Sequence, residues 1–205
     1  MKKYFITGIG TGVGKTLVSA ILVEALKADY WKPVQCGNLH FTDSDQVKEM
    51  VSNAQSFVHP ETYRFKTASS PHYAAAVEHT TIEIDKFIFP ETFNHLIIEG
   101  GGGLMVPLND HLLVIDLIEH LDAELILVSQ NYLGSINHTL LSIEAVQKRN
   151  IKVKGIIFNG KPVVSTEEFI LKYTGIPILG YVPHLSVIDK STITQHSKVF
   201  CSLAE

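Results

Sequence analysis

Four glycines, a lysine and two threonines lie close together in the stretch GIGTGVGKT, from Gly8 to Thr16. An apolar run, Tyr4 to Ile6, precedes this stretch, and an amphipathic run follows it. A glycine-rich turn between a buried strand and a helix presents free backbone N–H groups and the positive end of the helix dipole at one point. We interpret the stretch as a phosphate-binding loop, in which Lys15 adds a positive charge and the Thr16 hydroxyl can bind magnesium.

The spacing within this loop departs from the usual pattern. Four residues normally separate the first glycine from the Gly-Lys pair, whereas here five residues, Ile9 to Val13, separate Gly8 from Gly14. A glycine-rich turn that binds nothing is the alternative interpretation. Because Gly-Lys-Thr stands at the predicted start of a helix, binding of a nucleoside triphosphate is the stronger one.

A second positive charge, Lys32, stands in an otherwise apolar run from Tyr30 to Val34, which we predict to be the second strand. Lysine is rarely buried without a partner. A lysine on an edge strand that reaches out to water is the alternative. We expect an anionic phosphate to be the partner of Lys32.

A carboxylate and four glycines end another predicted strand. In the stretch from His95 to Gly103, three apolar residues, Leu96 to Ile98, lead directly into Glu99 and then into Gly100 to Gly103. In phosphate-binding-loop proteins an acidic residue near the nucleotide commonly holds the magnesium ion. Glu99 is therefore a candidate magnesium ligand, and an incidental glutamate in a flexible turn is the alternative.

Two aspartates lie near the start of a helix that we predict from Phe41 to Val51, with Thr42 or Asp43 as its N-cap. One interpretation is that Asp43 and Asp45 only complement the helix dipole, as acidic residues in a first helical turn commonly do. The other interpretation is that Asp45 reaches a magnesium ion.

Two further candidates lie in the second half of the chain. Asn159 follows a predicted strand, Val153 to Phe158, and ligands of open α/β sheets bind at the carboxyl ends of strands. Its amide suits the edge of a purine, and a turn asparagine is the alternative.

Gly134 or Ser135 begins a helix that we predict to end near Arg149. The free N–H groups at this helix start can hold a carboxylate or serve ordinary capping.

Strands alternate with helices along the whole chain, which predicts an α/β fold with a doubly wound, mostly parallel sheet and helices on both faces. Residues 1–205 are expected to form one domain, without repeats or linkers. The other predicted elements are a first helix to about Ala28, a helix entry at Ser69 to His72, a short helix within Ile82 to Phe93, a helix from Val114 to Leu121, a strand from Leu125 to Val128, a helix from Thr166 to Lys172 and a strand from Ile178 to Val182. Residues 53–67 read as a connection, and the tail from Ser186 gives weak signals.

Composition excludes several classes of protein. The net charge is −4 and the basic residues do not cluster, so no nucleic-acid partner is expected. The longest apolar runs are far shorter than the roughly 20 residues of a membrane span, so we expect a soluble protein with no membrane partner. The apolar run after Lys2 and Lys3 is too short for an export signal. With two cysteines, Cys36 and Cys201, a reduced, cytoplasmic setting is the simplest expectation.

Six motifs in one order, GIGTGVGKT, KPVQCGN, SSPH, IIEGGGGLMVP, NYLGSINH and FNGK, resemble those of the dethiobiotin synthetases of biotin biosynthesis. The resemblance spans residues 4 to about 185. It implies a ligase of the P-loop NTPase superfamily that acts as a homodimer. Its substrates would be diaminononanoate, CO2 and ATP, with Mg2+ as the metal.

The resemblance also implies roles for individual residues. The reacting groups would meet Lys32, Lys15 and Thr11, and the metal would meet Thr16, Asp45 and Glu99. The substrate would lie at Cys36 and, across the dimer interface, at the helix start formed by Gly134, Ser135, Ile136 and Asn137. The nucleotide would contact Gly12, Val13, Gly14, Lys15, Thr16, Leu17, Asp45, Glu99, Gly100, Gly101, Gly102, Asn159, Gly160, Pro183, His184 and Leu185, with Asn159 reading the adenine.

Two positions depart from the pattern of that family. Its members usually carry an acidic residue at the place of Gly10 and a serine or threonine at the place of Cys36. A thiol is a weaker hydrogen-bonding group than a hydroxyl, so the side-chain contact expected of Cys36 is in question. The backbone N–H groups of Cys36 and Gly37 are the alternative source of that contact.

Two other functions are compatible with the loop itself. One is an amide-forming ligase of the cobyrinic acid diamide synthase type, although such enzymes normally carry a glutaminase domain for which 205 residues leave no room. The other is a nucleotide switch of the partitioning ATPase type. Those switches usually have an additional lysine early in the loop and often a basic amphipathic tail, and we find neither pattern here.

Overall fold

Strands and helices alternate in the computed structural model, which describes residues 1–204. The strands are β1 (Lys3–Gly8), β2 (Asp29–Trp31), β3 (Val34–Cys36), β4 (Val58–His59), β5 (Tyr63–Phe65), β6 (Leu96–Glu99), β7 (Glu124–Ser129), β8 (Val153–Asn159) and β9 (Ile178–Val182). The α-helices are α1 (Lys15–Leu26), α2 (Asp43–Met50), α3 (Pro71–Val77), α4 (Val114–His120), α5 (Ser135–Lys148), α6 (Val164–Thr174) and α7 (Lys190–Ser197). Two 3-10 helices span Ile84–Lys86 and Lys198–Ala204.

Seven of these strands form one parallel sheet in the order β4-β2-β6-β1-β7-β8-β9. The central strand β1 lies between β6 and β7, with Ile6 opposite Glu99 and Gly8 opposite Val128. Strand order and direction confirm the predicted α/β class. The register also places the carboxylate at the end of β6 beside the strand that leads into the glycine-rich loop.

Helices cover both faces of this sheet because alternate strand residues point in opposite directions. Tyr4 and Ile6 pack in a cluster with residues of α1 and α7, whereas Phe5 packs in a second cluster with residues of α3 and α4. All three side chains are fully buried. No helix within residues 1–204 is both long enough and apolar enough to cross a bilayer.

The predicted second strand is in fact two short strands in different sheets. Strand β2 ends at Trp31 in the large sheet, and β3 starts at Val34 and pairs with β5 in a separate two-stranded parallel sheet. Pro33 lies between the two strands and has no N–H group for a ladder hydrogen bond. The chain passes from one sheet to the other at Lys32 and Pro33, so Lys32 lies directly after the end of β2. Residues 53–67, predicted as a connection, contain β4 and β5.

The helix predicted within Ile82 to Phe93 was wrong. Only the 3-10 turn Ile84–Lys86 is helical there. The side chain of Phe87 is buried in the core, and the ring of Phe89 lies 6.3 Å from that of Trp31. Tertiary packing of these aromatic rings outweighs the local helical spacing. The weak signals after Ser186 correspond to α7 and the C-terminal 3-10 helix.

A buried carboxylate ties α1 to the chain that follows α2. Glu24 is 3% exposed and accepts hydrogen bonds from the backbone and side chains of Ser52 and Asn53, at 2.8 to 3.1 Å. Burial alone would raise the pKa of Glu24, but these hydrogen bonds outweigh it and lower the pKa from 4.5 to about 2. Helix α1, which follows the glycine-rich loop, is anchored at this point.

We predict that Glu24→Gln lowers the free energy of unfolding by about 2 kcal/mol at pH 7, because an amide oxygen cannot replace the ionised carboxylate. A group whose pKa is depressed in the folded state stabilises above its unfolded pKa. The difference between wild type and variant should therefore be full above pH 4.5 and shrink as the pH falls towards 2. Urea unfolding at several pH values measures it. Glu49→Gln, at an exposed position on α2, is the control. A difference that does not change with pH would contradict this role.

Candidate functional site

A cavity of about 610 Å³ opens where β1 and β6 end. Five segments form its wall: the glycine-rich loop, the chain from Lys32 to Cys36, the start of α2, the entry of α3 and the glycine turn after β6. The lining residues are Thr11, Gly12, Gly14, Lys15, Thr16, Lys32, Val34, Gln35, Cys36, Asp43, Ala68, Ser69, Ser70, Pro71, Glu99, Gly101, Gly102 and Val106.

The glycine-rich loop reaches α1 through a left-handed residue. Gly14 has φ +87°, and a Cβ there would overlap the amide of Asn159. That amide donates a hydrogen bond to the carbonyl of Val13 at 2.9 Å. Lys15 folds back over the loop, with Nζ 3.2 Å from the carbonyl of Gly10. Burial lowers the pKa of Lys15, although Glu99 and Asp43 oppose the shift.

The carboxylate of Glu99 is 1% exposed and is held by three side chains. Its Oε1 accepts from the Thr16 hydroxyl at 2.8 Å and from Lys32 Nζ at 3.4 Å. Its Oε2 accepts from the Tyr30 hydroxyl, also at 2.8 Å. Burial raises the pKa of Tyr30 well above its usual value, and the charge of Glu99 adds to the shift. The tyrosine therefore remains a hydrogen-bond donor to Glu99.

Lys32 lies between two carboxylates. It is 5% exposed and forms ion pairs with Glu99 and with Asp43. Burial alone would lower the pKa of Lys32, but the two carboxylates outweigh it and raise the pKa. The partners of Lys32 in this structure are carboxylates of the chain itself, and the phosphate expected from the sequence stays a prediction. Lys32 lines the cavity together with Lys15.

Asp45 is not among the residues that line the cavity, and its predicted contact with magnesium stays a prediction. Its carboxylate accepts from the backbone N–H and the hydroxyl of Thr42, at 2.8 and 2.7 Å, and Thr42 in turn caps the N–H of Asp45. This capping box uses Asp45 to complete the start of α2. Asp43, at the first position of the helix, faces the cavity instead. The Thr-x-x-Asp spacing in the sequence indicates a capping box. The acidic residue of a capping box is bonded to the start of its own helix.

Cys36 and the entry of α3 form the wall opposite the loop. Burial raises the pKa of the Cys36 thiol to about 11, although Lys32 opposes the shift. The group is thus a neutral thiol near pH 7 and a weak hydrogen-bonding partner. Ser69 and Ser70 line the cavity beside it. The sequence analysis had assigned no role to these serines.

Several residues that the resemblance assigned to the nucleotide lie outside this cavity. Val13 is buried in the core, and Leu17 and Gly100 pack behind the loop and the strand end, with a Cβ at Gly100 meeting Phe5. Asn159 and Gly160 lie beside the loop at the end of β8. Pro183 and His184 are exposed after β9, beyond Asn159 on the same sheet edge. Leu185 is half-buried in the same turn.

The helix start from Gly134 to Asn137 also lies outside the cavity. Gly134 has φ +101° and no side-chain cap, and Ser135 is buried. A second groove of about 380 Å³ lies between α5 and the phosphate loop, lined by Met105, Leu141 and other mainly apolar residues. It shares Thr11 and Val106 with the cavity. Leu133 is fully exposed, and Met105 and Leu141 are more than half exposed.

The structure therefore joins Lys15, Thr16, Lys32 and Glu99 at one cavity, as the sequence predicted, and adds Asp43 to its lining. Tyr30 is fully buried and contacts Glu99 from outside the cavity. Two lysines, backbone N–H groups and a helix N-terminus suit a polyphosphate. Two carboxylates and a hydroxyl add hard oxygen donors. Tyr30 escaped the sequence analysis because an aromatic residue in an apolar run gives no sign that its hydroxyl meets a buried carboxylate.

A family model and several known proteins match this chain over most of its length. The AAA domain family matches residues 2–192. The ATP-dependent dethiobiotin synthetase BioD of Cytophaga hutchinsonii is 52% identical over 96% of each chain. The protein of the same name from Christiangramia forsetii is 48% identical over 97% of this chain and 96% of its own length. The one from Chlamydia pneumoniae is 41% identical over 97% and 89%.

Solved structures share the fold at low sequence identity. The septum site-determining protein MinD from Pyrococcus horikoshii is 17% identical, with a TM-score of 0.60 over 95% of this chain and 86% of its own. A ParA family ATPase from Chlorobium tepidum is 16% identical, with a TM-score of 0.57 over 97% and 91%. These similarities establish the P-loop α/β fold and nothing about activity. The identities of 41 to 52% over nearly the full chain, by contrast, show that this chain belongs to the ATP-dependent dethiobiotin synthetase family.

Proposed function

We propose that this protein is a dethiobiotin synthetase, an ATP-dependent ring-forming ligase of biotin biosynthesis. Its substrates are 7,8-diaminononanoate, CO2 and ATP, and its products are dethiobiotin, ADP and phosphate. The observation that carries the proposal is the Lys15, Lys32 and Glu99 constellation at the phosphate loop, in a chain 52% identical to a protein of that name.

The chemistry requires charge and positioning from the chain. A substrate amine adds CO2, loses a proton and becomes a carbamate. A carbamate oxygen attacks the γ-phosphorus and ADP leaves, which gives a carbamic-phosphoric anhydride. The second amine then attacks the carbonyl carbon, phosphate leaves and the ring closes. Phosphoryl transfer depends mainly on alignment and on positive charge around the phosphoryl oxygens.

The residues of the cavity match these needs. Lys15 and the loop N–H groups would bind the β- and γ-phosphates, with Thr11 at the rim. Lys32 would lie between the carbamate and the γ-phosphate, where its charge stabilises the transition state. Because Lys32 is ion-paired with Asp43 and Glu99, its ammonium is already fixed in direction. Cys36 would touch the substrate through its backbone N–H or thiol.

The oxygen donors at this point fit a magnesium ion. Within residues 1–204 no group of three or more His, Cys, Asp or Glu side chains gathers as a metal site. Magnesium commonly uses one or two carboxylates together with phosphate oxygens, and Thr16, Glu99 and Asp43 offer such a set. A bound Mg2+ would supply positive charge to the phosphates. Asp45, which the sequence predicted for this role, is the other candidate for the second carboxylate.

We further propose a homodimer in which the helix start at Gly134 to Asn137 completes the partner's site. That helix start lies outside the cavity of its own chain, and the apolar groove beside it exposes Met105 and Leu141. Its N–H groups would hold the substrate carboxylate. Asn159 and the turn from Pro183 to Leu185 would contact the adenine from the same sheet edge.

We also propose that residues 1–205 form one domain and that the reaction occurs in the cytoplasm. All three core clusters pack on the same seven-stranded sheet, and both Cys36 and Cys201 are free thiols. The ParA family ATPase, the MinD proteins and a plasmid partition protein match this chain in fold alone, at identities of 12 to 17%. A nucleotide switch is therefore the second candidate, and a direct assay separates the two.

We predict that release of phosphate from ATP depends on both diaminononanoate and bicarbonate. A synthetase transfers the γ-phosphoryl group to a carbamate, so omission of either substrate should reduce the rate to a small background. Phosphate release and dethiobiotin formation, measured together with Mg2+ present, should agree in a one-to-one ratio. A rate that the two substrates leave unchanged would contradict the assignment and favour the nucleotide switch.

We predict that Lys32→Gln lowers kcat on the order of 10²-fold or more, because the lost charge acts in the transition state. The dissociation constant for ADP should change little, since Lys15 and the loop remain. Calorimetric titration with ADP and steady-state kinetics separate the two effects. Lys48→Gln, at an exposed position on α2, is the matched control. Near-normal turnover of Lys32→Gln would remove Lys32 from the mechanism.

We predict opposite effects for the two aspartates at the start of α2. Asp43→Asn should raise the Mg2+ concentration needed for half-maximal activity by about tenfold or more. Asp45→Asn should leave that concentration within about twofold and lower the free energy of unfolding by about 0.5 to 1 kcal/mol, because it weakens the capping box. Activity against Mg2+ concentration and urea unfolding measure the pair. The reverse pattern would restore Asp45 as the metal ligand.

A further inference from the structure

The side chain of Asn159 holds one peptide bond of the phosphate loop. Strand β8 ends at Asn159, whose side-chain nitrogen donates a hydrogen bond of 2.9 Å to the carbonyl oxygen of Val13. The two residues are 146 positions apart in the chain. Because a carbonyl oxygen can only accept, the amide atom that faces Val13 must be the nitrogen, and this fixes the orientation of the amide.

The same amide lies against Gly14, the next residue of the loop. Gly14 has φ +87°, and a Cβ at this position would overlap the amide of Asn159. A side chain is therefore excluded at Gly14 for two reasons, the left-handed backbone and the contact with Asn159. The missing Cβ lets the loop backbone approach the end of β8 closely enough for the hydrogen bond to form.

This hydrogen bond determines where the N–H group of Gly14 points. The peptide between Val13 and Gly14 is trans, so its carbonyl and its N–H point in opposite directions. The carbonyl faces Asn159, which does not line the cavity, whereas Gly14 does line it. The Gly14 N–H donates no hydrogen bond to the backbone of residues 1–204. It is therefore available to an anionic ligand in the cavity.

No other side chain within residues 1–204 forms a hydrogen bond with this part of the loop. The Lys15 ammonium bonds the carbonyl of Gly10 at 3.2 Å and so holds the first half of the loop. Among the hydrogen bonds of the described side chains, the one from Asn159 alone reaches Val13 or Gly14. Without it, the peptide between these two residues could rotate and direct its carbonyl oxygen, which repels phosphate, towards the cavity.

We infer that Asn159 is a positioning residue of the phosphate loop, which holds the Val13–Gly14 peptide so that its N–H points towards a polyphosphate. The inference rests on the proposed binding of a nucleoside triphosphate at this loop. It goes beyond the proposed contact of Asn159 with adenine, because it requires an effect on a phosphate ligand that has no base. The nitrogen of the amide fixes the loop, and its oxygen remains an acceptor for an amino group of the base.

We predict that Asn159→Ala and Asn159→Leu each weaken the binding of inorganic tripolyphosphate by about three- to tenfold, the effect of one lost hydrogen bond. Leucine keeps a branched side chain beside Gly14 but cannot donate, so similar losses in the two variants identify the hydrogen bond as the cause. Calorimetric titration in the absence of metal gives the dissociation constants. ATP should lose at least as much affinity as tripolyphosphate, because the variants also remove the base contact.

Asn131→Ala is the matched control. This asparagine lies just after the end of the neighbouring strand β7, but its amide donates to the carbonyl of Lys161 and the carboxylate of Glu167, at 3.1 and 2.7 Å. The control variant should bind tripolyphosphate within about twofold of the wild type. Circular dichroism establishes that each variant is folded at the temperature of the titration.

Several results would overturn the inference. Weaker binding of ATP with unchanged binding of tripolyphosphate would show that Asn159 contacts the base only. A loss in Asn159→Ala that Asn159→Leu does not share would assign the effect to packing, and an equal loss in Asn131→Ala would assign it to general destabilisation. A wild type that does not bind tripolyphosphate would remove the premise. If the wild type binds tripolyphosphate but makes no dethiobiotin, the proposed function fails, whereas the titrations still decide the role of Asn159.

Discussion

The buried carboxylate of Glu99 is the constraint around which the site is built. An ionised group that is 1% exposed must be matched by donors and by charge, and Thr16, Tyr30 and Lys32 provide them from three different elements. Because these partners come from α1, β2 and the segment after β2, the carboxylate fixes the phosphate loop relative to the edge half of the sheet. The hydrogen bonds that satisfy this buried carboxylate therefore also determine the shape of the cavity wall.

Lys32 links this carboxylate to the start of α2. It carries one positive charge between the two carboxylates of Glu99 and Asp43, and the negative charge that is left over also acts on nearby Lys15. The change of sheets at Pro33 makes this possible, since it takes the lysine out of the strand ladder and turns it towards the cavity. The strand pattern alone would place Lys32 at the surface, whereas the change of sheets keeps its side chain buried.

The family relationship and the fold neighbours answer different questions. Relatives 41 to 52% identical over nearly the full chain establish the family. The cell-division and partitioning ATPases share only the order of strands and helices. One sheet architecture thus supports either a switch or a ligase, because function depends on the side chains at the strand ends.

The sequence alone determined the α/β class, most strands and helices, and the positions of Lys15, Thr16, Lys32 and Glu99, because hydrophobic periodicity and glycine-rich turns are local signals. It missed the split of the second strand, the absence of an α-helix after Ile82 and the place of Asp43 in the cavity wall. Tertiary structure decided these points, since partners distant in sequence compete with local preference. Tyr30 and Glu99 are 69 residues apart, and only the parallel register of β2 and β6 brings hydroxyl and carboxylate together.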